Sequence, residues 1–97
     1  MKKKVYISGP ISNSSSYWEE FDTAEYNLKG LDYIVLNPTI FPLGLLQADY
    51  MRLSMAMIDC CDVVCMLPGW ENSDGANAEY FYAKKCGKEI IFDYKWD

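Results

Sequence analysis

Histidine is absent from the 97 residues. That single absence excludes Ser-His and Cys-His nucleophile pairs, histidine metal sites and histidine general bases. Proton transfer falls to carboxylates, tyrosine, cysteine or lysine. Long apolar runs are missing too: none approaches the roughly 18 residues of a membrane span. The basic start, Met1-Lys2-Lys3-Lys4, leads into an apolar stretch too short for a signal peptide, and Pro10 breaks it. The sequence therefore reads as a soluble, cytoplasmic chain with no membrane partner. Positive charge is scarce, with 9 Lys and Arg against 14 Asp and Glu and a net charge of −5. A nucleic-acid polymer wants a basic surface and is not expected as a partner, whereas a local pocket can still take a small anion.

Cysteine is present but not as a staple set. Cys60 and Cys61 are adjacent, and four strand residues would separate Cys61 from Cys65 by ~13 Å, too far for one zinc ion. Reduced, mostly buried thiols are the expectation, and neither a metal nor a cofactor is implied. What the chain does have is 51% apolar content beside 24% charge, which is globular. At this length it forms one domain, residues 1–97, burying roughly 60–65% of its unfolded surface.

Lys4-Val5-Tyr6-Ile7-Ser8 is a short β-rich run stopped by Gly9-Pro10. Residues 11–16 form a polar loop rich in N-cap candidates. Trp18, Phe21, Ala24, Glu25 and Leu28 then keep helical spacing, with Gly30 as the stop. Leu31 to Leu36 is a second strand, closed by Asn37-Pro38, and a loop of open shape runs from Thr39 to Gly44. Leu46, Tyr50, Leu53, Met57 and Cys60 predict one face of a second helix over about 45–60. Asp62 to Leu67 is the most apolar strand, followed by the turn-rich stretch Pro68 to Gly75. Ala76 to Cys86 reads as a third helix, and Glu89-Ile90-Ile91-Phe92 as a last strand. The methionines Met51, Met55 and Met57 read as core or subunit interface.

Alternating strands and helices predict an α/β, Rossmann-like three-layer sandwich. Near-continuous apolar strands favour a four-stranded, mainly parallel sheet. The expected order is 2-1-3-4, with right-handed crossovers. That order reverses the winding between the first and third strands, and ligands bind beyond the carboxyl ends of strands at such a reversal. The segments there are Gly9-Pro10-Ile11-Ser12 and Pro68 to Gly75.

Several residues there can carry chemistry. Ser73 is a helix N-cap, and Gly75-Ala76 offers amides that an anion can approach. Glu79 falls about a turn and a half into that helix: either a carboxylate facing the same site, able to attack a sugar carbon, or a solvated surface acid. Tyr6 either packs in the core or turns its hydroxyl to the rim. Trp70 either stacks on a planar base or plugs a core edge. Asn37 either donates to a sugar hydroxyl or starts the turn before Pro38.

Taken together, Tyr6-Ile7-Ser8-Gly9-Pro10, Asn37-Pro38, Cys61-Asp62 and the string from Leu67-Pro68-Gly69-Trp70 through Ser73, Gly75 and Ala76 to Glu79 resemble the nucleoside 2-deoxyribosyltransferase superfamily, in its short phage and bacterial branch. The resemblance spans nearly the whole chain. It implies a flavodoxin-like fold that hydrolyses or transfers the N-glycosidic bond of a 2′-deoxynucleoside or its 5′-monophosphate. It further implies Glu79 as nucleophile, Tyr6 orienting Glu79 or the sugar, and Ser73 with the helix amides holding a 5′-phosphate. Ser8, Gly9, Pro10, Asn37, Gly69, Trp70, Gly75 and Ala76 complete the implied substrate site. Where the superfamily carries an acid on the second helix, eight residues before Asp62, this chain has Ser54. Leaving-group protonation is worth about 10²–10⁴-fold, so this departure points to slow turnover or to nucleotide binding without it. A structural or interaction role in a phage or prophage is the third reading. Eight tyrosines and three tryptophans in so small a chain predict a homo-oligomer, a dimer or higher.

Overall fold

The computed structural model describes residues 2–11 and 17–93. Its elements are β1 (Lys4–Ser8), α1 (Tyr17–Gly30), β2 (Ile34–Leu36), α2 (Gln47–Cys60), β3 (Val63–Met66), α3 (Asp74–Lys85) and β4 (Glu89–Phe92), with short 3-10 turns at Pro38–Ile40 and Trp70–Asn72. The strands form one four-stranded sheet in the order β2-β1-β3-β4, every pair parallel. This is the expected α/β order. Residues 12–16, with Ser12 and the other expected N-cap candidates, lie outside the described residues.

Side chains alternate across a strand, and the alternation builds two different layers. Val5, Ile7, Val63 and Cys65 face α1 and meet Phe21, Ala24 and Leu28. Tyr6, Val64 and Met66 face the opposite way, onto Ile58 and Cys61 at the α2 side and Ala76 and Ala83 of α3. The alanines let α3 lie close to the sheet.

The helix α1 ends at Gly30, as expected, and the left-handed turn residue that follows is Asp32 at φ 71°. Two local readings need correction. The second strand is shorter than expected, because Leu31 and Asp32 form that turn. The buried stripe of α2 is also rotated. Leu46, Leu53 and Cys60 are exposed, and Ser54 and Ile58 point inward. The true stripe sits one residue, about 100°, round the helix from the one that apolar spacing selects. Half of the cysteines are buried: Cys61 and Cys65 are inside, Cys60 and Cys86 outside, and all four are free thiols. Burial pushes the Cys61 and Cys65 thiols up to about 11 and about 12, so both stay protonated.

At the carboxyl ends of β1 and β3 the backbone closes tightly. The Leu67 amide donates to the Ser8 carbonyl at 2.8 Å. A Cβ on Gly9 would lie 2.8 Å from the Leu67 Cβ, so only glycine fits there without a shift. Gly69, at φ 87°, turns the chain away into the 3-10 turn at Trp70–Asn72.

Candidate functional site

A cleft of about 260 Å³ opens above β1, between α1, α2 and the start of α3. Strand periodicity brings Tyr6 and Ser8 to the same face, two residues apart, toward α3. On α3 the inward stripe is Ala76, Glu79 and Ala83, a spacing of three and four that belongs to one helix face. An acid thus occupies the middle of an apolar stripe, and it is only 8% exposed.

Burying a carboxylate is costly unless it is hydrogen-bonded. Here the Ser8 hydroxyl donates to Glu79 Oε1 at 2.6 Å and the Tyr6 phenol donates to Oε2 at 2.9 Å. Ser54, buried on α2, brings a third hydroxyl within hydrogen-bonding reach of both Glu79 and Tyr6. Its single proton can serve only one of them at a time. Burial pushes the Glu79 carboxyl above its usual value, and the bonds from Ser8, Tyr6 and Ser54 pull it partly back. Burial first, then the Glu79 charge, holds the Tyr6 phenol well above its ordinary range, so it remains a donor.

The mouth is shaped by the helix starts. Ser73 caps α3 by accepting from the Ala76 amide at 3.2 Å, and its carbonyl takes the Asn77 amide at 2.9 Å. Helix geometry leaves the Asp74 and Gly75 amides without an intrahelical partner. Ser73, Gly75 and Ala76 line the cleft, as do Tyr6, Gly9 and Glu79. Ser8 does not line it; its hydroxyl is spent on Glu79 from behind.

Other expected site residues stand elsewhere. Asn37 starts its turn: Oδ1 accepts from the Thr39 amide at 3.0 Å and the Thr39 hydroxyl at 2.8 Å, and Nδ2 donates to Glu25 at 2.9 Å. Glu25 also pairs with Lys29 at 2.7 Å, so Asn37 ties the turn to α1. Trp70 does not face the cleft. It stacks on Tyr80, ring centres 4.6 Å apart, with Phe92 beyond at 6.2 Å. Gly69 and Pro10 pack beside one another outside the cleft lining. Ser54, noted in the sequence only as standing where an acid was expected, is buried one turn before Ile58 on the inward side of α2. The aromatic wall from α1, Tyr17 and Trp18 with Phe21, was likewise visible only as helix periodicity.

Two solved structures share this fold. A 2-deoxyribosyltransferase from Leishmania mexicana matches with a TM-score of 0.75 and 23% identity, over 93% of this chain and 63% of its own. A CMP N-glycosidase from Clostridium botulinum matches with a TM-score of 0.69 and 21% identity, over 93% of this chain and 67% of its own. The chain thus spans less than two thirds of the Leishmania protein. No curated protein matches it in sequence. A sequence family does: residues 3–92 fit the domain of unknown function DUF4406, and the chain belongs to that family.

Proposed function

We propose that this protein breaks the N-glycosidic bond of a 2′-deoxynucleoside or its 5′-monophosphate, passing the sugar to water or to a second base. One observation carries the reading: Glu79 is a buried carboxylate that lines the cleft with both oxygens held by hydroxyl donors. In this reading Glu79 attacks C1′, the C1′–N bond breaks, and a glycosyl ester forms, as in retaining glycoside chemistry. Ser8 and Tyr6 fix the carboxylate, and the protein rather than water surrounds the charged nucleophile. Tyr6 keeps its proton and stands ready to orient the sugar. Ser73 and the Asp74 and Gly75 amides offer donors to the 5′ end of the ligand. The two fold neighbours bear names of the same reaction type, one a deoxyribosyl transfer and one a nucleotide N-glycosidase.

The test is free-base release from the four 2′-deoxynucleosides and their monophosphates, with Glu79→Ala as control. Release that vanishes in the variant supports the reading; release unchanged in the variant refutes it. Tight binding with no release from any of the eight ligands favours a nucleotide-binding module instead, which Ser54 in place of an acid also suits. We further propose a homo-oligomer in which a second copy covers the mouth, where the cleft-lining Ile11 and Leu43 are both more than half exposed. Sedimentation at micromolar concentration checks this, and a monomer overturns it.

A further inference from the structure

Glu79 is the only carboxylic acid among the described residues that line the cleft, and none of them is a lysine or arginine. Its polar neighbours there, Tyr6 and Ser54, are neutral hydroxyls. Tyr6 turns its proton toward Glu79, and Ser54 shares the same small network. Five further aromatic rings, Tyr17, Trp18, Phe21, Phe41 and Tyr50, also line the cleft. A buried anion faced by aromatic rings suits a positively charged heterocycle, because ring faces attract cations within about 6 Å.

The same inventory bears on the leaving group. A neutral purine or pyrimidine departs with the bonding pair and needs a proton from an acid. A cationic base needs none. When its C1′–N bond breaks, the electron pair returns to the ring and cancels the positive charge. The Glu79 carboxylate loses its negative charge in forming the C1′–O bond, so an anion and a cation give two neutral products. Water then takes the sugar, Glu79 returns as carboxylate, and one proton passes to solvent.

We propose that the site is built for N-glycosides whose leaving base is cationic, an N7-alkylated purine being the type, an inference that rests on Glu79 acting as the nucleophile. The probes are 7-methyl-2′-deoxyguanosine and 2′-deoxyguanosine, with base release measured for each with the protein and in buffer alone. Where no carboxylic acid assists the leaving base, the enzymatic rate ratio of cationic to neutral substrate equals or exceeds the ratio in buffer. An assisting acid would favour the neutral substrate by about 10²–10⁴-fold and compress that ratio, which would overturn the inference while leaving the glycosyl-transfer reading intact. No Glu79-dependent release from either probe overturns both. Trp18→Ala sharpens the result: KM for the cationic probe is expected to rise roughly threefold to tenfold, with little change for the neutral one. Equal effects on both probes count against a cation-binding wall. In Ser54→Asp the new acid shares a proton with Glu79. It is expected to raise release from 2′-deoxyguanosine and so to compress the ratio between the methylated and the neutral probe. A folded, active Ser54→Asp protein with no gain on the neutral probe also counts against the inference.

Discussion

On the α1 side of the sheet, Val5, Ile7, Val63 and Cys65 pack against Phe21, Ala24 and Leu28 in an apolar cluster. On the other side the same β1 strand presents Tyr6 and Ser8, and their hydroxyls hold the carboxylate of Glu79. Adjacent residues of one strand thus face opposite surroundings, an apolar core on one side and a hydroxyl-held carboxylate on the other. The polar face is the more demanding one, since a buried carboxylate with an unmade bond is worse than none. A sheet can afford that inset only because the opposite layer is closed and apolar.

The contrast can be broken by mutation. Glu79→Gln is expected to lower base release by about 10³-fold or more while the protein stays folded, read by single-turnover release and circular dichroism. Leu28→Ala should do the reverse, costing about 2–5 kcal/mol in denaturant unfolding with kcat unchanged below the transition. If Leu28→Ala abolishes activity in a folded protein, the two faces are not separable. Tyr6→Phe and Ser8→Ala each remove one bond to Glu79, at about 1–3 kcal/mol. Those bonds favour the charged carboxylate, so the acidic limb of the pH–rate profile should move to higher pH in both variants. An unmoved limb would mean that Glu79 is not the titrating group.

A subtler comparison concerns pH and stability. Burial raises the Glu79 pKa above its usual 4.5, so the folded protein holds that proton more tightly than the unfolded chain. Between the unfolded and folded values the native state binds more protons, and stability must fall as pH rises. The wild type should therefore lose stability relative to Glu79→Gln as pH climbs above about 4.5, the unfolded value, and level off once the folded group has ionised. A difference that is flat with pH would show that Glu79 is not desolvated. The smallest effect is expected at Trp70→Phe, about 1 kcal/mol from the weakened stack on Tyr80. KM should not change, because the indole packs away from the cleft.

Much of this was legible in the linear chain. Apolar runs bounded by Gly9-Pro10, Asn37-Pro38 and Pro68-Gly69 marked the strands, and β4 falls where its β-branched run lies. Ser73 as the α3 cap was legible because capping is a local exchange between a side chain and an amide three residues on. The α2 face was not. Its two buried residues, Ser54 and Ile58, are one polar and one apolar because this side of the helix borders the cleft, and a period read from hydrophobicity settles on the neighbouring stripe. Trp70 was ambiguous for a related reason: a loop aromatic beside a cleft can turn either way, and the flat partner it finds is Tyr80.

Residue order by itself determined the α/β alternation, the strand sequence and the lack of histidine chemistry, since these follow from local periodicity and composition. Only the packed structure decided that Glu79 points inward, that Tyr6 and Ser8 meet it from β1, and that Ser54 joins them from α2. Those contacts link residues up to 73 positions apart. No local rule reaches across such a distance; the register of β1 beside β3 and the rotation of two helices about their axes set it.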